Sequence, residues 1–210
     1  GVNDHAEVMV DYYSQRVPYW KDWDVSTAEG KGTIEHVKWL LSGRRVLEIA
    51  CGTGFWASQI SQTAQSVVAT DYTEAMLQCA REQTQDCENV VVQKADANSL
   101  VQIEETFSAG FHFQWFSHVP LAEVTGFLER FHSKLETGAR VVFGDNRVQG
   151  EESTPAGDYY TTRELPNGNQ FRIIKNYPTE EYLRDVLSPA ACGVTYVLFR
   201  HNWFITYTKA

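Results

Sequence analysis

Short apolar runs alternate with segments of helical periodicity along the first two thirds of the chain. The runs are rich in Val, Ile and Phe, as buried strands are, and lie at 45–50, 66–70, 89–93, 110–114 and 138–144. Apolar residues three and four positions apart predict helices at 4–17, 26–41, 55–63, 73–85 and 121–135. Since parallel strands need a long crossover, usually a helix, this alternation predicts a parallel sheet with helices on both faces.

The last third of the chain has a different pattern. Two alternating runs at 159–164 and 170–175 flank Pro-Asn-Gly-Asn, a sequence typical of a β-hairpin turn. A helix is expected at 178–187, and the strands 194–200 and 203–208 must pair antiparallel because only two residues join them. The predicted fold class is therefore α/β, a Rossmann-like doubly wound seven-stranded sheet, mostly parallel with an antiparallel C-terminal strand.

We expect one domain over residues 1–210, because this length suits a single hydrophobic core. Four parts of this domain follow from the pattern of elements. They are N-terminal helices at 1–43, a core of alternating strands and helices at 44–146, an inserted hairpin at 158–176, and a C-terminal helix with closing strands at 178–210.

Charge and cysteine content narrow the function classes. The chain has 18 Lys and Arg against 27 Asp and Glu, a net charge of -9, which disfavours broad binding to nucleic acid or anionic membranes. No apolar run is long enough to cross a membrane, and the first ten residues lack the apolar core of a signal peptide. The 4 cysteines form no C-x-x-C pair, which favours the cytoplasm. We predict no metal site, and a monomer or homodimer.

A glycine-rich turn follows the first predicted strand. Its sequence, Ala50-Cys51-Gly52-Thr53-Gly54, lets the backbone turn sharply and approach a ligand closely. Ligands of α/β proteins bind at the carboxyl ends of the strands, where this turn lies. Glu48 precedes the turn inside the strand, and a buried carboxylate there requires a ligand cation or backbone donors. A tight turn without a ligand is the alternative.

Two further acids lie at the ends of the next two strands. Asp71 follows the second strand and can accept hydrogen bonds from both hydroxyls of a ribose, with a helix N-cap as its alternative role. Asp96 follows the third strand, where its carboxylate can accept from an exocyclic amine while the backbone N–H of Ala97 reaches a ring nitrogen. Acids at three successive strand ends predict a nucleoside site.

Together, Glu48 with the glycine turn, Asp71, and Ala95-Asp96-Ala97 resemble the successive motifs of class I S-adenosylmethionine-dependent methyltransferases, in their small-molecule branch. The resemblance runs from about residue 8 to the end of the chain. It implies S-adenosylmethionine as the cofactor, with its methionine part on the glycine turn, its ribose on Asp71 and its adenine amine on Asp96. Tyr72 and Met76 would border the adenine. One departure is Phe55, at a variable position where the family often has a third glycine.

A dinucleotide-binding dehydrogenase is one alternative, because Gly52 to Ala57 also fits G-x-G-x-x-A. Such an enzyme has no need of Glu48 or Asp96, and the closing antiparallel strands fit the methyltransferase sheet better. A catalytically inactive nucleoside-binding module is the second alternative. We therefore predict an enzyme that transfers a methyl group from S-adenosylmethionine to a small molecule by in-line displacement promoted by proximity, with S-adenosylhomocysteine as product.

The methyl acceptor is expected beside the segment that follows the fourth strand. In this segment, Phe113 is expected to border the cofactor and Trp115 the acceptor. His118 can orient or deprotonate the acceptor, and capping of the next helix is an equal alternative for it. Asn146 and Arg147, just beyond the fifth strand, are expected to bind the acceptor.

The N-terminal segment from Tyr12 to Trp23 is dense in aromatic residues. Aromatic faces attract cations, and a sulfonium is a cation. The family resemblance implies that this segment folds over the cofactor as a lid. We expect Tyr19 and Trp20 to face the cofactor and Arg16 to meet its carboxylate, with a permanently packed helix as the alternative.

Overall fold

The computed structural model describes residues 4–148 and 157–210. Its helices are α1 (Asp4–Arg16), α2 (Ala28–Leu40), α3 (Phe55–Ile60), α4 (Glu74–Gln83), α5 (Val124–Ser133) and α6 (Glu180–Leu187). Its strands are β1 (Arg45–Glu48), β2 (Ser66–Asp71), β3 (Val90–Lys94), β4 (Phe107–Phe113), β5 (Leu135–Asn146), β6 (Tyr159–Glu164), β7 (Gln170–Lys175), β8 (Ala191–Leu198) and β9 (Asn202–Lys209). Short 3-10 turns occupy Val17–Tyr19, Phe116–His118 and Leu121–Glu123.

One seven-stranded sheet has the order β3-β2-β1-β4-β5-β9-β8, and β6 pairs with β7 in a separate antiparallel hairpin. Neighbours among β1 to β5 run parallel, and β9 runs antiparallel to both β5 and β8. The predicted fold class is therefore confirmed. The chain winds outward from β1 in both directions, so the carboxyl ends of β1 and β4 flank the switch point at which ligands of such sheets bind.

Three strands begin three residues before their predicted starts. β4 begins at Phe107 instead of residue 110, β5 at Leu135 instead of residue 138, and β8 at Ala191 instead of residue 194. Phe107 pairs with Leu135, but the next pair is Ala109 with Arg140, so β5 carries extra residues in an irregular step. Gly138 lies in this step with φ of 84°, a conformation that glycine adopts at little cost. The polar residues of the step interrupt the apolar run and hide the true start of the strand.

Alternate strand residues cover the two faces of the sheet. Leu47 and Phe143 pack with α5 and α6 on one face, and Val46 and Val142 pack with α2, α3 and α4 on the other. His112 is buried in the first of these layers, with its ring stacked on Phe143 at 4.5 Å between centroids, and burial lowers its pKa to about 3. This histidine is therefore a neutral core residue.

A third apolar cluster lies outside the sheet. It joins α1 to the β6–β7 hairpin through Met9, Tyr12, Leu165, Phe171 and Ile173. We call α1 together with this hairpin the cap. Directly after β7, Asn176 donates its backbone N–H to the carbonyl of Ser117 at 2.8 Å, which fixes the hairpin beside the carboxyl end of β4. None of the described helices is long and apolar enough to cross a membrane.

Candidate functional site

A cavity of about 880 Å³ opens at the carboxyl ends of β1, β2 and β4, under the cap. Cavities of about 300–1,000 Å³ hold small molecules and cofactors. Most of the site residues predicted from the sequence line it: Trp20, Glu48, Ala50, Cys51, Gly52, Asp71, Tyr72, Met76, Asp96, Ala97, Phe113, Trp115, His118 and Asn146.

The glycine turn forms the floor of this cavity at the end of β1. Ala50 and Gly52 have φ of 51° and 56°, and Gly52 donates its N–H to Asp71 Oδ2 at 2.9 Å. Gly54 does not line the cavity: with φ of 83°, it packs under the turn, where an added Cβ would lie 2.9 Å from the Cα of Ala80. Gly52 therefore leaves room for a ligand, whereas Gly54 allows close packing of α3 on α4.

Glu48 is a buried carboxylate with an unused oxygen. Its side chain lines the cavity, the residue is 2% exposed, and Oε2 has no hydrogen-bond partner among the described residues. Burial, and then the nearby charge of Asp71, raise the pKa of Glu48 well above its ordinary value of 4.5. A ligand cation placed here would relieve both penalties, because an opposite charge favours the ionised carboxylate.

Asp71 joins the glycine turn to the start of α4, where Thr73 is the N-cap residue; ribose binding by Asp71 stays a prediction. Its Oδ2 accepts from the Gly52 N–H, and its Oδ1 accepts from the N–H of Thr73 at the start of α4, each at 2.9 Å. Burial raises its pKa although these hydrogen bonds act in the opposite direction. Each carboxylate oxygen can accept a second hydrogen bond, so Asp71 can hold the glycine turn and still bind ligand hydroxyls.

The third acid lies farther along the same edge of the sheet. Asp96 Oδ1 accepts from the N–H of Asn98 at 2.8 Å, which stabilises the turn after β3. Ala97 is 8% exposed and lies in the cavity wall. Met76 is fully buried, whereas Tyr72 is half exposed with Lys94 Nζ 5.0 Å from its ring centroid. These residues form a flat, mostly apolar end of the cavity.

His118 lies at the opposite end and bonds to the cap. Its Nδ1 is 2.9 Å from the carbonyl oxygen of Ile174, and its Nε2 is 3.0 Å from the hydroxyl of Tyr13. Since a carbonyl only accepts, Nδ1 carries the proton and Nε2 accepts from the tyrosine. Burial, and then the charge of Lys175, lower the pKa of His118 to about 4, so the ring is neutral at pH 7. Its nitrogens do not cap the following helix.

A buried ion pair contacts Ser117, the residue that precedes His118. Lys175 Nζ lies 3.8 Å from Asp145 Oδ1 and donates to Ser117 Oγ at 2.9 Å. The other oxygen of Asp145 accepts from the Ser117 N–H at 2.9 Å. Sequence reasoning missed this ion pair, because Asp145 lies near the end of β5 and Lys175 at the end of β7, and no local pattern links the two.

An amide cluster lines the cavity between β4 and β9. Gln114 has φ of 59°, which is uncommon for a residue with a side chain and occurs preferentially at functional sites. Its Nε2 donates to Asn146 Oδ1, which also accepts from Asn202 Nδ2, each at 3.0 Å. Sequence reasoning proposed only Asn146. Arg147 lies outside the wall, where its Nη1 donates to the Phe199 carbonyl at 2.7 Å.

Two aromatic residues separate the ends of the cavity. Phe113 packs against Trp23 and Phe204, with ring centroids 5.4 Å apart in both pairs. Trp115 has a buried indole N–H without a partner among the described residues. A bound ligand with an acceptor oxygen or nitrogen can use this donor.

The segment after α1 closes one side of the cavity. Asp22 Oδ1 accepts from Thr53 Oγ1 at 2.7 Å and from Trp20 Nε1 at 3.1 Å, which ties this segment to the glycine turn. Trp20 lines the cavity, as predicted, but Arg16 and Tyr19 do not. The Arg16 guanidinium lies over the Trp20 ring, 4.5 Å from its centroid, and Tyr19 is 40% exposed. The structure thus corrects the placement of these two residues.

Comparisons with known proteins agree with this arrangement. A family model described as a methyltransferase domain matches residues 46–138. A demethylmenaquinone methyltransferase of Clavibacter sepedonicus is 29% identical over 87 residues, which are 41% of this chain and 33% of that protein. The matched part therefore spans about a third of the length of this curated relative.

Several solved structures share the fold over nearly the whole chain. A DhpI complex with SAH has a TM-score of 0.81 at 23% identity and covers 98% of this chain and 97% of its own. The DhpI-SAM-HEP complex has a TM-score of 0.79 at 24% identity and covers 97% of each chain. The N-methyltransferase NodS of Bradyrhizobium japonicum WM9, in complex with S-adenosylhomocysteine, has a TM-score of 0.66 at 10% identity, with 95% of this chain and 97% of its own covered.

Proposed function

We propose, on the premise that residues 46–138 belong to the methyltransferase domain family, that this protein transfers a methyl group from S-adenosylmethionine to a small-molecule acceptor. This match and the shared fold support the predicted family resemblance. The observation that carries the proposal is buried Glu48, whose Oε2 has no hydrogen-bond partner within the described part of the chain, beside Asp71 and a glycine turn that leaves open space.

The residues of the cavity fit the parts of this cofactor. Glu48 offers a buried carboxylate to the ammonium group of the methionine part, and Gly52 gives that part room. Asp71 can accept from the ribose hydroxyls, while Asp96 and the Ala97 N–H can read the edge of the adenine. When bound, the cofactor supplies a methyl group on a positively charged sulfur that leaves as a neutral thioether.

The other end of the cavity suits the acceptor. Neutral His118 accepts a hydrogen bond from the Tyr13 hydroxyl. The hydroxyl proton of Tyr13 is thus used, and the lone pairs of its oxygen stay available to accept hydrogen bonds from other groups. Because the pKa of His118 is low, its ring is a weak base, which favours a role in orienting the methyl acceptor over one in taking up the acceptor's proton. Trp115 and Asn146 complete this end with an indole N–H and an amide. Proximity and exclusion of water supply most of the rate in such a site.

Calorimetric titration tests the cofactor. S-adenosylhomocysteine should bind and NAD should not, and the reverse result would establish the dehydrogenase alternative. Labelled S-adenosylmethionine with a panel of small acceptors then separates an enzyme from an inactive module, since binding without transfer across the panel would favour the module. The cytoplasmic location, the absence of nucleic-acid binding and the monomeric or homodimeric state stay predictions.

A further inference from the structure

The cavity wall carries a strong excess of negative charge. Among the described residues that line it, Lys21 is the only lysine or arginine. The carboxylates in the same wall are Glu7, Asp11, Asp22, Glu48, Asp71 and Asp96.

Half of these carboxylates come from the N-terminal segment, outside the nucleoside motifs. Glu7 and Asp11 lie one helical turn apart on α1, so both project from the same side of the helix into the cavity wall. Asp22 is held at the glycine turn by Thr53 and Trp20. We call Glu7, Asp11 and Asp22 the lid carboxylates. All three are exposed residues in the cavity wall, so they add negative charge where the cavity meets solvent.

Glu48 gives independent evidence that this charge is directed at a ligand. Its buried Oε2 faces the cavity without a partner among the described residues. A buried carboxylate without a partner is relieved by protonation, by hydrogen-bond donors or by a cation, and a cationic ligand favours its ionised form. The lid carboxylates extend the same preference across the whole cavity.

We propose that the lid carboxylates make this cavity select the positively charged methyl donor over its neutral product. S-adenosylmethionine carries a sulfonium, an ammonium and a carboxylate, and so has a net charge of +1. S-adenosylhomocysteine lacks the sulfonium charge and is neutral overall. Methyl transfer therefore removes the charge that the lid carboxylates attract, which weakens the hold on the product and promotes its release. This inference rests on the proposed function.

The expected discrimination follows from Coulomb's law. A unit charge at about 8–10 Å in a partly hydrated cavity changes the affinity for a cation by about 3- to 5-fold. Several carboxylates together should favour the cation by about 10-fold or more at low ionic strength. Added salt should reduce this ratio, because about 1 M salt shortens the screening length to about 3 Å.

The test uses three ligands that differ in charge at one position. Calorimetry measures the affinities of S-adenosylmethionine, S-adenosylhomocysteine and sinefungin, in which a carbon replaces the sulfur and carries a protonated amine in place of the methyl group. Both cations should bind about 10-fold more tightly than the neutral thioether at about 20 mM salt, and the ratio should shrink at about 500 mM. Equal affinities for all three would overturn the inference and leave the proposed function intact. Binding of none would overturn both.

Asp22→Asn isolates one lid carboxylate. The asparagine keeps an oxygen for the bonds from Thr53 and Trp20 but removes the charge. It should lower the affinity for sinefungin by about 3- to 5-fold and leave that for S-adenosylhomocysteine within about 2-fold. The matched control is Asp86→Asn, which removes the same charge from an exposed turn after α4, at the opposite edge of the sheet. Equal effects of both variants, or equal loss for both ligands, would contradict the inference.

Discussion

The two ends of the cavity satisfy their polar groups in different ways. At the cofactor end, Glu48 keeps a buried oxygen without a partner among the described residues, and Gly52 leaves open space. At the acceptor end, His118 uses both ring nitrogens within the protein, and Asn146 accepts two amide hydrogen bonds. At the cofactor end, a buried polar group needs a ligand as its partner. At the acceptor end, most polar groups are hydrogen-bonded to other groups of the protein.

This difference explains why one ligand can be inferred and the other must be found by experiment. A buried carboxylate without a partner destabilises the fold until a cation arrives, so the missing partner reveals the ligand's charge. A network whose polar groups are hydrogen-bonded to one another is stable without a ligand, so few of its groups indicate which ligand binds there. At the acceptor end, the indole N–H of Trp115, which has no partner in the part of the chain that the structure describes, is a group that does indicate a ligand acceptor.

The largest expected effect comes from filling the space at the cofactor end. Gly52→Val places a β-branched side chain at φ of 56° and into the cavity, so binding of S-adenosylhomocysteine should fall by about 100-fold or more. Gly43→Val is the matched control, because Gly43 has φ of 72° and open space but lies far from the cavity. It should lose stability and keep affinity. Wild-type affinity in Gly52→Val, measured by calorimetry, would remove the glycine turn from the site.

Asp71→Ala should have the next largest effect. Loss of hydrogen bonds that involve a charged group should weaken binding of S-adenosylhomocysteine by about 1.5–3 kcal/mol. The glycine turn also loses its bond from Gly52 to Asp71, so part of this loss comes from the turn itself. Asp71→Asn, which retains one carbonyl oxygen, should recover part of the affinity. Titrations of Asp71→Ala that match the wild type would reduce Asp71 to a structural role.

Glu48→Gln should separate stability from binding. The folded-state pKa of Glu48 is raised, so the folded protein holds a proton that the unfolded chain releases above pH 4.5, and stability falls as pH rises. The glutamine removes this loss and should raise the free energy of unfolding at pH 8 by about 1–3 kcal/mol over the wild type, with little difference at pH 4.

Urea unfolding of both proteins at the two pH values measures this difference. The same variant should bind S-adenosylhomocysteine more weakly, by about 10-fold, because a neutral amide replaces the carboxylate that faces the ammonium group. A variant with unchanged affinity and unchanged stability at pH 8 would contradict the assignment of Glu48 as the ligand's counter-charge.

The smallest expected effect is at the acceptor end. Tyr13→Phe removes the hydrogen bond to His118 and keeps the ring, so the free energy of unfolding should fall by about 1 kcal/mol. Amide exchange in α1 should also quicken, since this bond ties the cap to the sheet. Tyr12→Phe is the control, because Tyr12 packs in the apolar cluster of the cap and does not line the cavity. Equal acceleration in both variants would mean that packing alone holds the cap.

Much of the cofactor end could be predicted from the sequence, because its parts follow one another along the chain. Glu48 and Asp71 are the last residues of β1 and β2, and Asp96 follows β3 by two residues. Parallel strands bring their carboxyl ends to one edge of the sheet, so acids in successive motifs of the chain become neighbours in space. The pairing of β6 with β7 was predicted with its bounds, since Asn-Gly turns have a local signature. The start of β5 was missed, because polar residues interrupt its apolar run.

Sequence alone therefore determined the elements, the order of motifs and the nucleoside end of the cavity, all of which depend on local periodicity and short spacing. Only the tertiary structure decided that Tyr13, and not Tyr19, reaches the cavity, and that it bonds to His118, 105 residues away. The same holds for Asp22 with Thr53 and for Lys175 with Asp145. These contacts join elements whose distance and orientation depend on how the cap packs on the sheet. Packing between residues far apart in the chain produces no periodic pattern in the sequence, so it could not be predicted from the sequence.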